Sequence, residues 1–242
     1  MTVTGETIAP LKNVSIAVEA LRMAMNRPDH LPGMAAMYGW SGLGKSFAAS
    51  YARNRLDAYY IECRSIWTKR AMLEAMTLEM GIQPERTLSK LVDQVGEQLL
   101  LSEKPLIVDE MDHVVDKQAV NVIQDIYEIS QSPMLLIGEE NLPRKLARWE
   151  KFHNRILHWA PAQPSDVNDC DHLAKLYCRG VTIQRDLLEK ITHISGGAAR
   201  RIVVNLERVR QFADTEGLDA VDLARWGDRQ LYTGHAPARR NQ

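Results

Sequence analysis

The sequence predicts an α/β fold with a parallel sheet, followed by a small domain made of helices. Three observations lead to this prediction. Short apolar runs of about four to six residues alternate with helical patterns over the first two thirds of the chain, which is typical of βαβ units. A glycine-rich turn joins the first of these runs to a helix. After residue 162 the apolar runs stop and only helical periodicity continues, which indicates a second domain.

The first part of the chain is predicted to alternate between helices and strands. The apolar runs at 104–110 and 133–138 lack polar alternation, as expected of strands that are buried on both faces. Prolines and glycines separate the elements. The predicted helices lie at 15–27, 44–55, 68–80, 87–103, 117–130 and 142–152. The predicted strands lie at 34–38, 58–63, 104–110, 133–138 and 155–160.

Three segments follow from this pattern. Residues 1–162 are predicted to form the α/β core with an N-terminal helix. Residues 163–230 are predicted to form an all-helical lid, with helices at 166–178, 183–195, 198–214 and 218–231 and no strand. Residues 231–242 are predicted to be a flexible tail.

Composition excludes some classes of function and leaves others open. The chain has 242 residues, with 30 Lys and Arg against 31 Asp and Glu, so bulk charge does not indicate a nucleic-acid binder. A nucleic-acid contact would therefore need a local cationic patch. No apolar run approaches the roughly 20 residues that span a bilayer, so no membrane partner is expected. The N-terminal residues lack a secretory signal and the three cysteines suggest no disulfide framework, so we expect a cytoplasmic location.

The glycine-rich turn predicts a site for nucleotide phosphates. Residues 39–46 fit the pattern G-x-x-x-x-G-K-[ST], in which glycines let backbone N–H groups converge on phosphate oxygens at a helix N-terminus. Lys45 is expected to reach the β- and γ-phosphates, and the Ser46 hydroxyl to ligate Mg²⁺. No Asn-Lys-x-Asp guanine signature is present, which favours ATP. The predicted nucleotide contacts are Gly39, Trp40, Ser41, Gly42, Leu43, Gly44, Lys45, Ser46 and Phe47.

An acidic pair ends the strand predicted at 104–110. Asp109 follows a buried apolar run and is expected to hold Mg²⁺ through water. Glu110 is the next residue and is expected to orient and deprotonate an attacking water. The pair therefore predicts hydrolysis of ATP, with Lys45 and Glu110 in catalytic roles.

Polar residues also follow the strand predicted at 133–138. One of Glu139, Glu140 and Asn141 is expected to sense the γ-phosphate or to hold the lytic water. Asn141 is the neutral candidate and is assigned a catalytic role, although a helix-capping role is an equal alternative. Glu139 would be an atypical residue at such a position.

Two arginines complete the predicted site. Arg155 immediately precedes the last strand of the core and is expected to stabilise transition-state charge in trans, at the site of a neighbouring subunit. Arg144 and Arg148 compete for this role. Arg200, in the segment SGGAARR, is expected to contact the phosphates and to report the nucleotide state to the lid.

Together and in this order, the motifs resemble those of AAA+ ATPases over nearly the whole chain. The segments IVDEMDHV and FHNRI and the small lid further resemble the transposition ATPases of the phage Mu B, TnsC and IstB type. That resemblance implies an ATP-dependent protein that assembles as an oligomer or helical filament on double-stranded DNA, largely without sequence preference. It also implies target selection, recruitment and stimulation of a transposase, disassembly on hydrolysis, and a bacterial host cytoplasm.

Only about 30 residues precede the first strand, so a separate helix-turn-helix module like that of phage Mu B is not expected. DNA contacts are therefore predicted on the ATPase body. Two alternative functions stay open, namely a DnaC- or IstB-like loader of another DNA-processing protein and a nucleotide-gated scaffold with negligible turnover. The predicted DNA contacts are Thr68, Lys69, Arg70 and Lys117, with the lid arginines Arg200, Arg201, Arg208 and Arg210 as a second possible patch.

Overall fold

The computed structural model describes residues 11–234, which form two compact units. The core unit comprises residues 13–40 and 45–162. The helical unit comprises, among the described residues, 11–12, 41–44 and 163–234. No helix in the described part of the chain is long and apolar enough to cross a membrane.

The core unit is built on a five-stranded parallel sheet in the order β2-β3-β4-β1-β5. Strand β4 thus lies between β1, which leads into the glycine-rich turn, and β3, which ends in the acidic pair. Since all strands are parallel, their carboxyl ends lie along one edge of the sheet. The strands are β1 (Met34–Tyr38), β2 (Tyr59–Glu62), β3 (Leu106–Asp109), β4 (Met134–Gly138) and β5 (Ile156–Pro161).

The central strands are buried on both faces. Met34, Ala35, Ala36 and Met37 are all 0% exposed, although successive side chains point to opposite faces of the sheet. Both faces are therefore covered, as the continuous apolar runs predict. The helices of this unit are α1 (Lys12–Met25, whose first residue belongs to the helical unit), α2 (Lys45–Leu56), α3 (Lys69–Glu79), α4 (Leu88–Ser102), α5 (Met111–Asp116), α6 (Val120–Ser130), α7 (Leu142–Leu146) and α8 (Glu150–His153).

Two predicted helices differ from the structure. A single helix was predicted at 117–130, but Lys117 ends α5 and α6 begins only at Val120. Gln118, with a φ of +52°, breaks the helix between them. The helix predicted at 142–152 is likewise divided into α7 and α8, because Trp149 leaves the helical conformation at φ −110° and ψ 70°.

The helical unit contains more than helices, which corrects the prediction of an all-helical lid. A two-stranded parallel ladder pairs Thr182 with Ala220 and Ile183 with Val221. The helix predicted at 218–231 is reduced to four residues by the second of these strands. Strands of two residues carry no detectable alternation, so the pattern gave no signal for them. The elements are α9 (Val167–Tyr177), β6 (Thr182–Ile183), α10 (Arg185–Ser195), α11 (Ala199–Glu216), β7 (Ala220–Val221) and α12 (Leu223–Trp226).

The predicted tail at 231–242 is anchored where it can be described, and residues 235–242 lie outside the described residues. The buried Asn205 side chain accepts the N–H of Tyr232 at 2.6 Å and donates to its carbonyl at 3.0 Å. The guanidinium carbon of Arg208 lies 5.4 Å from the centre of the Tyr232 ring. A buried amide requires hydrogen-bond partners, and the chain at Tyr232 supplies them.

Candidate nucleotide site

The strand register brings the predicted site residues to one edge of the sheet. Tyr38 of β1 pairs with Gly138 of β4, and Val108 of β3 pairs with Leu136 of β4. The residues that follow these strands are therefore neighbours along that edge. We call this the carboxyl edge and define it by Gly39, Asp109, Glu110 and Glu139.

Two glycines of the glycine-rich turn adopt a backbone conformation with positive φ. Gly42 and Gly44 have φ values of +88° and +86°, in the left-handed region that side chains disfavour. Helix α2 starts at Lys45, whose Nζ donates to the carbonyl oxygens of Gly39 at 2.6 Å and of Trp40 at 2.9 Å. These two bonds engage two of the three N–H groups of the ammonium. The lysine is thus held at the mouth of the turn.

Lys45 lies within a field of carboxylates. Burial lowers the pKa of Lys45, while the charges of Asp109, Glu110, Glu139 and Asp112 act to raise it. The partly buried ammonium group of Lys45 thus faces the negative charges of four acidic side chains. Such a balance suits a site that takes up a phosphate together with a divalent cation, because the phosphate then interacts with Lys45 and the cation with the acids.

Asp109 is held rigidly at the end of β3. It is 2% exposed, and its Oδ1 accepts the N–H of Glu110 at 2.8 Å. Its Oδ2 accepts a hydrogen bond from the Tyr60 hydroxyl at 3.0 Å. Burial and the charge of Asp109 raise the pKa of Tyr60, so this hydroxyl stays a donor. Sequence reasoning missed Tyr60, whose only signal is a hydroxyl in the strand beside β3.

The donor atoms at this edge fit Mg²⁺. The carboxylate of Asp109 and the hydroxyl of Ser46, an exposed residue in the first turn of α2, are hard oxygen ligands. Among residues 11–234, no group of three His, Cys, Asp or Glu side chains gathers to hold a metal ion by itself. In nucleotide sites Mg²⁺ usually takes one or two protein ligands and completes its shell with phosphates and water.

Glu110 stands in an unusual backbone conformation. Its φ and ψ are 55° and 42°, and it precedes α5 without making a side-chain capping hydrogen bond. Burial, and next the charge of Asp109, raise the pKa of Glu110 above its ordinary value of 4.5. A raised pKa brings a carboxylate closer to the proton affinity of a useful general base.

The polar residues Glu139 and Asn141, which follow β4, lie in two different places. Glu139 lies at the carboxyl edge, where its charge acts on both Lys45 and Glu110. Asn141 makes no capping hydrogen bond to α7 and instead lines a groove with Gln118 and Trp149. Asn141 thus occupies the N-cap position of α7 without a side-chain capping hydrogen bond, and its catalytic role stays a prediction. Glu139 is the first residue after β4.

Asp112 is a second residue that sequence reasoning missed. It is 3% exposed, and its Oδ2 accepts the N–H of Glu139 at 2.6 Å. Its Oδ1 lies 2.9 Å from Nζ of Lys145 and forms an ion pair with it. The signal in the sequence was a third acid two residues after Glu110, which has the appearance of an exposed helix residue.

Arg155 lies at the other end of the sheet. Its carbonyl accepts the N–H of Met34, so it stands level with the amino end of β1. Its Nε and Nη2 lie 2.8 Å and 2.7 Å from Oε1 of Glu128. We call this the amino edge and define it by Met34 and Arg155.

Arg200 is close to part of the turn within the helical unit. Its backbone N–H, at the start of α11, donates to the carbonyl oxygen of Gly42 at 3.2 Å. A Cβ added to Gly44 would lie 3.6 Å from the Cβ of Ala199. The start of α11 and residues 41–44 are thus in close contact.

The predicted DNA contacts do not form a single uniform group. Lys69 and Lys117 line one shallow hollow together with Arg64 and Trp67. The guanidinium carbon of Arg64 lies 5.5 Å from the Trp67 ring. We call these four residues the cationic hollow. Sequence reasoning missed Arg64 and Trp67, although they directly precede the predicted patch.

Two of the predicted DNA contacts, Thr68 and Arg70, form hydrogen bonds or ion pairs with other residues of the chain. The Thr68 hydroxyl accepts the N–H of Ala71 at 3.2 Å and so caps α3. Arg70 pairs through Nε with Glu74 at 2.8 Å, and its Nη1 donates to the carbonyl of Arg86. Lys117 ends α5 and does not begin a helix, contrary to the prediction.

Comparisons with known proteins bear on the fold that carries this site. The model of the AAA domain family matches residues 29–146. The chain is similar in structure to the Aeropyrum pernix ORC2 protein, solved as ADPNP-ADP complexes, with a TM-score of 0.73 and 16% identity over 89% of this chain and 67% of that one. The A. pernix ORC1 protein in complex with DNA gives a TM-score of 0.63 and 18% identity over 86% and 61%. No curated protein matches the chain by sequence.

A further similar structure is the Thermotoga maritima RuvB Holliday junction branch migration motor, with a TM-score of 0.57 and 18% identity over 92% of this chain and 65% of that one. The chain thus spans about two thirds or less of the length of these proteins. At such identities the likeness concerns the fold. The chain has the AAA+ P-loop fold, a five-stranded parallel sheet with helices, and the AAA domain model matches residues 29–146 of it.

Proposed function

We propose that the chain is an ATPase that assembles on double-stranded DNA when it binds ATP and comes apart when ATP is hydrolysed. The observation that carries this proposal is the carboxyl edge, where Lys45, the buried Asp109 and the base Glu110 with its raised pKa meet. Lys45 and the turn bind the phosphates, and Asp109 and Ser46 hold Mg²⁺. When bound, Mg²⁺ neutralises phosphate charge. Glu110 accepts a proton from the attacking water.

The position of Arg155 supports a site shared between subunits. Arg155 lies at the amino edge, and the five residues of β1 span about 16 Å to the carboxyl edge. An arginine at that distance does not reach its own turn. We therefore infer that Arg155 acts in trans on the ATP of a neighbouring copy, within an oligomer or helical filament. Arg200 stays a proposed phosphate contact, and its support is the hydrogen bond from its backbone N–H to the carbonyl of Gly42 in the turn.

The cationic hollow is the proposed DNA surface. Lys69 and Lys117 supply charge for phosphates, and Trp67 and the 83% exposed Ile66 lie next to them. Two or three phosphate contacts per subunit bind weakly alone, but an assembly repeats them along the duplex. The similarity to the ORC1 protein in complex with DNA supports a DNA partner. Contacts to phosphates imply little sequence preference.

The finer proposal is a regulator of DNA transposition that selects target DNA and recruits and stimulates a transposase. Its support is the motif resemblance of IVDEMDHV and FHNRI. The alternative is a loader of another DNA-processing protein. The gene that lies beside the gene of this chain discriminates between the regulator and the loader. A neighbouring transposase gene supports the regulator, whereas a neighbouring replicative helicase gene supports the loader.

The experiment that tests the ATPase proposal measures turnover and size together. The purified chain is mixed with ATP and Mg²⁺, with and without duplex DNA, and phosphate release and light scattering are followed. We expect DNA to raise the hydrolysis rate, and scattering to rise with ATP and to fall as ATP is consumed. Scattering that rises with ATP while no phosphate appears would support a nucleotide-gated scaffold instead.

A further inference from the structure

The sheet loses its backbone pairing just where the candidate chemistry begins. The ladder between β3 and β4 ends at the pair Val108 and Leu136. Beyond that pair a side chain joins the two strands, because Oδ2 of Asp112 accepts the N–H of Glu139 at 2.6 Å. Asp112 follows Glu110 by two residues, in the first turn of α5. One carboxylate thus links the segment of the base to the segment after β4.

Gly138 provides the space for this carboxylate. A Cβ at Gly138 would lie only 2.4 Å from Oδ2 of Asp112, closer than real Cβ contacts allow. The same Cβ would lie 2.8 Å from Cδ2 of Leu142. The glycine that ends β4 therefore leaves room for the Asp112 carboxylate in this position.

A lysine balances the buried charge of Asp112. The carboxylate is 3% exposed, so it requires a partner of opposite charge. Nζ of Lys145 lies 2.9 Å from Oδ1 of Asp112 and 3.0 Å from Oδ1 of the more exposed Asp116. Burial acts against the charge of Lys145, but the bonds to Asp112 and Asp116 raise its pKa overall. Lys145 therefore stays charged at neutral pH and faces the buried carboxylate.

We propose that Asp112, seated against Gly138 and neutralised by Lys145, is a positioning residue that fixes Glu110 relative to Glu139. The proposal rests on the proposed ATPase function and deepens it. Lys45 and the turn come from β1, which lies on the other side of β4 from β3. Loss of the link therefore disturbs the base directly and Lys45 only through the weaker charge of Asp112, so that kcat falls by a larger factor than KM for ATP changes.

Four variants separate the hydrogen bond from the charge. Asp112→Ala removes both, whereas Asp112→Asn keeps an oxygen that accepts the Glu139 N–H. Lys145→Met leaves the buried carboxylate without its partner, and the double variant Asp112→Asn with Lys145→Met restores a neutral site that still has the acceptor. Asp116→Asn is the matched control, since Asp116 also pairs with Lys145 and makes no bond to Glu139.

Two readouts are measured on each full-length variant. The first is hydrogen exchange of the Glu139 amide, which does not depend on hydrolysis. The second is kcat and KM for ATP. We expect Asp112→Ala to accelerate hydrogen exchange of the Glu139 amide about tenfold or more, because the loss of one hydrogen bond of about 1.4 kcal/mol corresponds to a factor of about ten. We also expect it to lower kcat about 10²-fold. The double variant should recover both values relative to Lys145→Met, and Asp116→Asn should leave both unchanged.

The outcomes distinguish this proposal from the proposed function. If wild type does not hydrolyse ATP, the ATPase proposal fails, and exchange at Glu139 still reports whether Asp112 links the strands. Wild-type exchange and wild-type kcat in Asp112→Ala overturn the positioning role. If Asp112→Ala does not fold, the double variant decides, because the role is also overturned when it recovers neither exchange protection nor kcat.

Discussion

The two edges of the five-stranded sheet hold charge in opposite ways. At the carboxyl edge, burial shifts the pKa of Lys45 down and that of Glu110 up among several acids. At the amino edge, Arg155 and Glu128 form an ion pair with side chains 41% and 39% exposed. Exposed pairs contribute about 0–1 kcal/mol. The charges of the carboxyl edge are therefore held by burial, whereas the amino edge holds an exposed ion pair, in which Arg155 is the cation that we propose to act on a neighbouring copy.

The largest effect is expected at the carboxyl edge. Lys45→Ala removes the cation that lies among Asp109, Glu110 and Glu139, so phosphates would meet uncompensated carboxylates. We expect ATP binding to be abolished in titration calorimetry. The control Lys151→Ala alters an exposed lysine of α8 and should bind as wild type. Unchanged ATP affinity in Lys45→Ala would contradict the assignment of the phosphate site.

The next effect concerns hydrolysis alone. Glu110→Gln keeps the size of the side chain and removes the base, so ATP should bind normally while turnover falls by about 10²–10⁴. Light scattering should then stay high after ATP is added, because disassembly needs hydrolysis. Glu97→Gln, which alters an exposed acid of α4, is the control. Wild-type turnover in Glu110→Gln would remove Glu110 from the role of base.

The amino edge is tested by mixing two inactive variants. Arg155→Ala should bind ATP and hydrolyse it about 10³-fold more slowly, the lower end of what an arginine in trans contributes. Adding Lys45→Ala protein should restore part of the activity, since some interfaces then combine an intact turn with an intact Arg155. Glu128→Gln, which frees Arg155 from its present partner, should keep full activity.

Arg144→Ala in α7 and Arg148→Ala in the turn after α7 serve as controls and should behave as wild type. If Arg148→Ala behaves as described for Arg155→Ala, the arginine in trans is Arg148. If mixing restores nothing and the active species is a single subunit, the site is not shared and the difference between the two edges has another cause.

A smaller effect is expected at the cationic hollow. Lys69→Ala with Lys117→Ala should weaken DNA binding evenly across sequences and reduce the salt slope of log K by about 2, or about 0.9 for each phosphate contact. Arg70→Ala should change the slope less, because Glu74 already neutralises Arg70. The paired control is Lys151→Ala with Lys190→Ala, two exposed lysines. An unchanged slope in the first variant would move the DNA surface elsewhere.

The smallest effect concerns pH. Glu110 must be ionised to accept a proton, and burial followed by the charge of Asp109 raises its pKa above 4.5. The rate of hydrolysis should therefore rise with pH. The midpoint of this rise, called the limb of the pH profile, should lie above pH 4.5. The charge of His113 opposes this shift, so His113→Asn should move the limb to higher pH. A limb that moves to lower pH in His113→Asn would contradict this account of Glu110.

The carboxyl edge was predictable from sequence where the chemistry is local. Residues 39–46 and the pair Asp109 and Glu110 are short motifs whose function depends on backbone and side chains within a few positions. The parallel sheet was predictable too, since apolar runs without alternation indicate strands buried on both faces. Both predictions depend on neighbours in the chain and need no distant contact.

The residues that support this edge were not predictable, because distant parts of the chain create their roles. Tyr60 meets Asp109 across 49 positions of sequence, and Asp112 meets the amide of Glu139 across 27. The end of α5 at Lys117 depends on the left-handed Gln118, which no periodicity reveals. Residues of this kind become visible only when the strands are placed side by side.

Trp40 gives the protein an optical signal of its own. The indole is 66% exposed, directly after Gly39, and its carbonyl accepts a hydrogen bond from Lys45. Any molecule that enters the turn changes the surroundings of this ring, and tryptophan emission responds to the polarity around it. The arrival and departure of nucleotide can therefore be timed by stopped-flow fluorescence on the unlabelled chain, and Trp40→Phe identifies the part of the signal that comes from the turn.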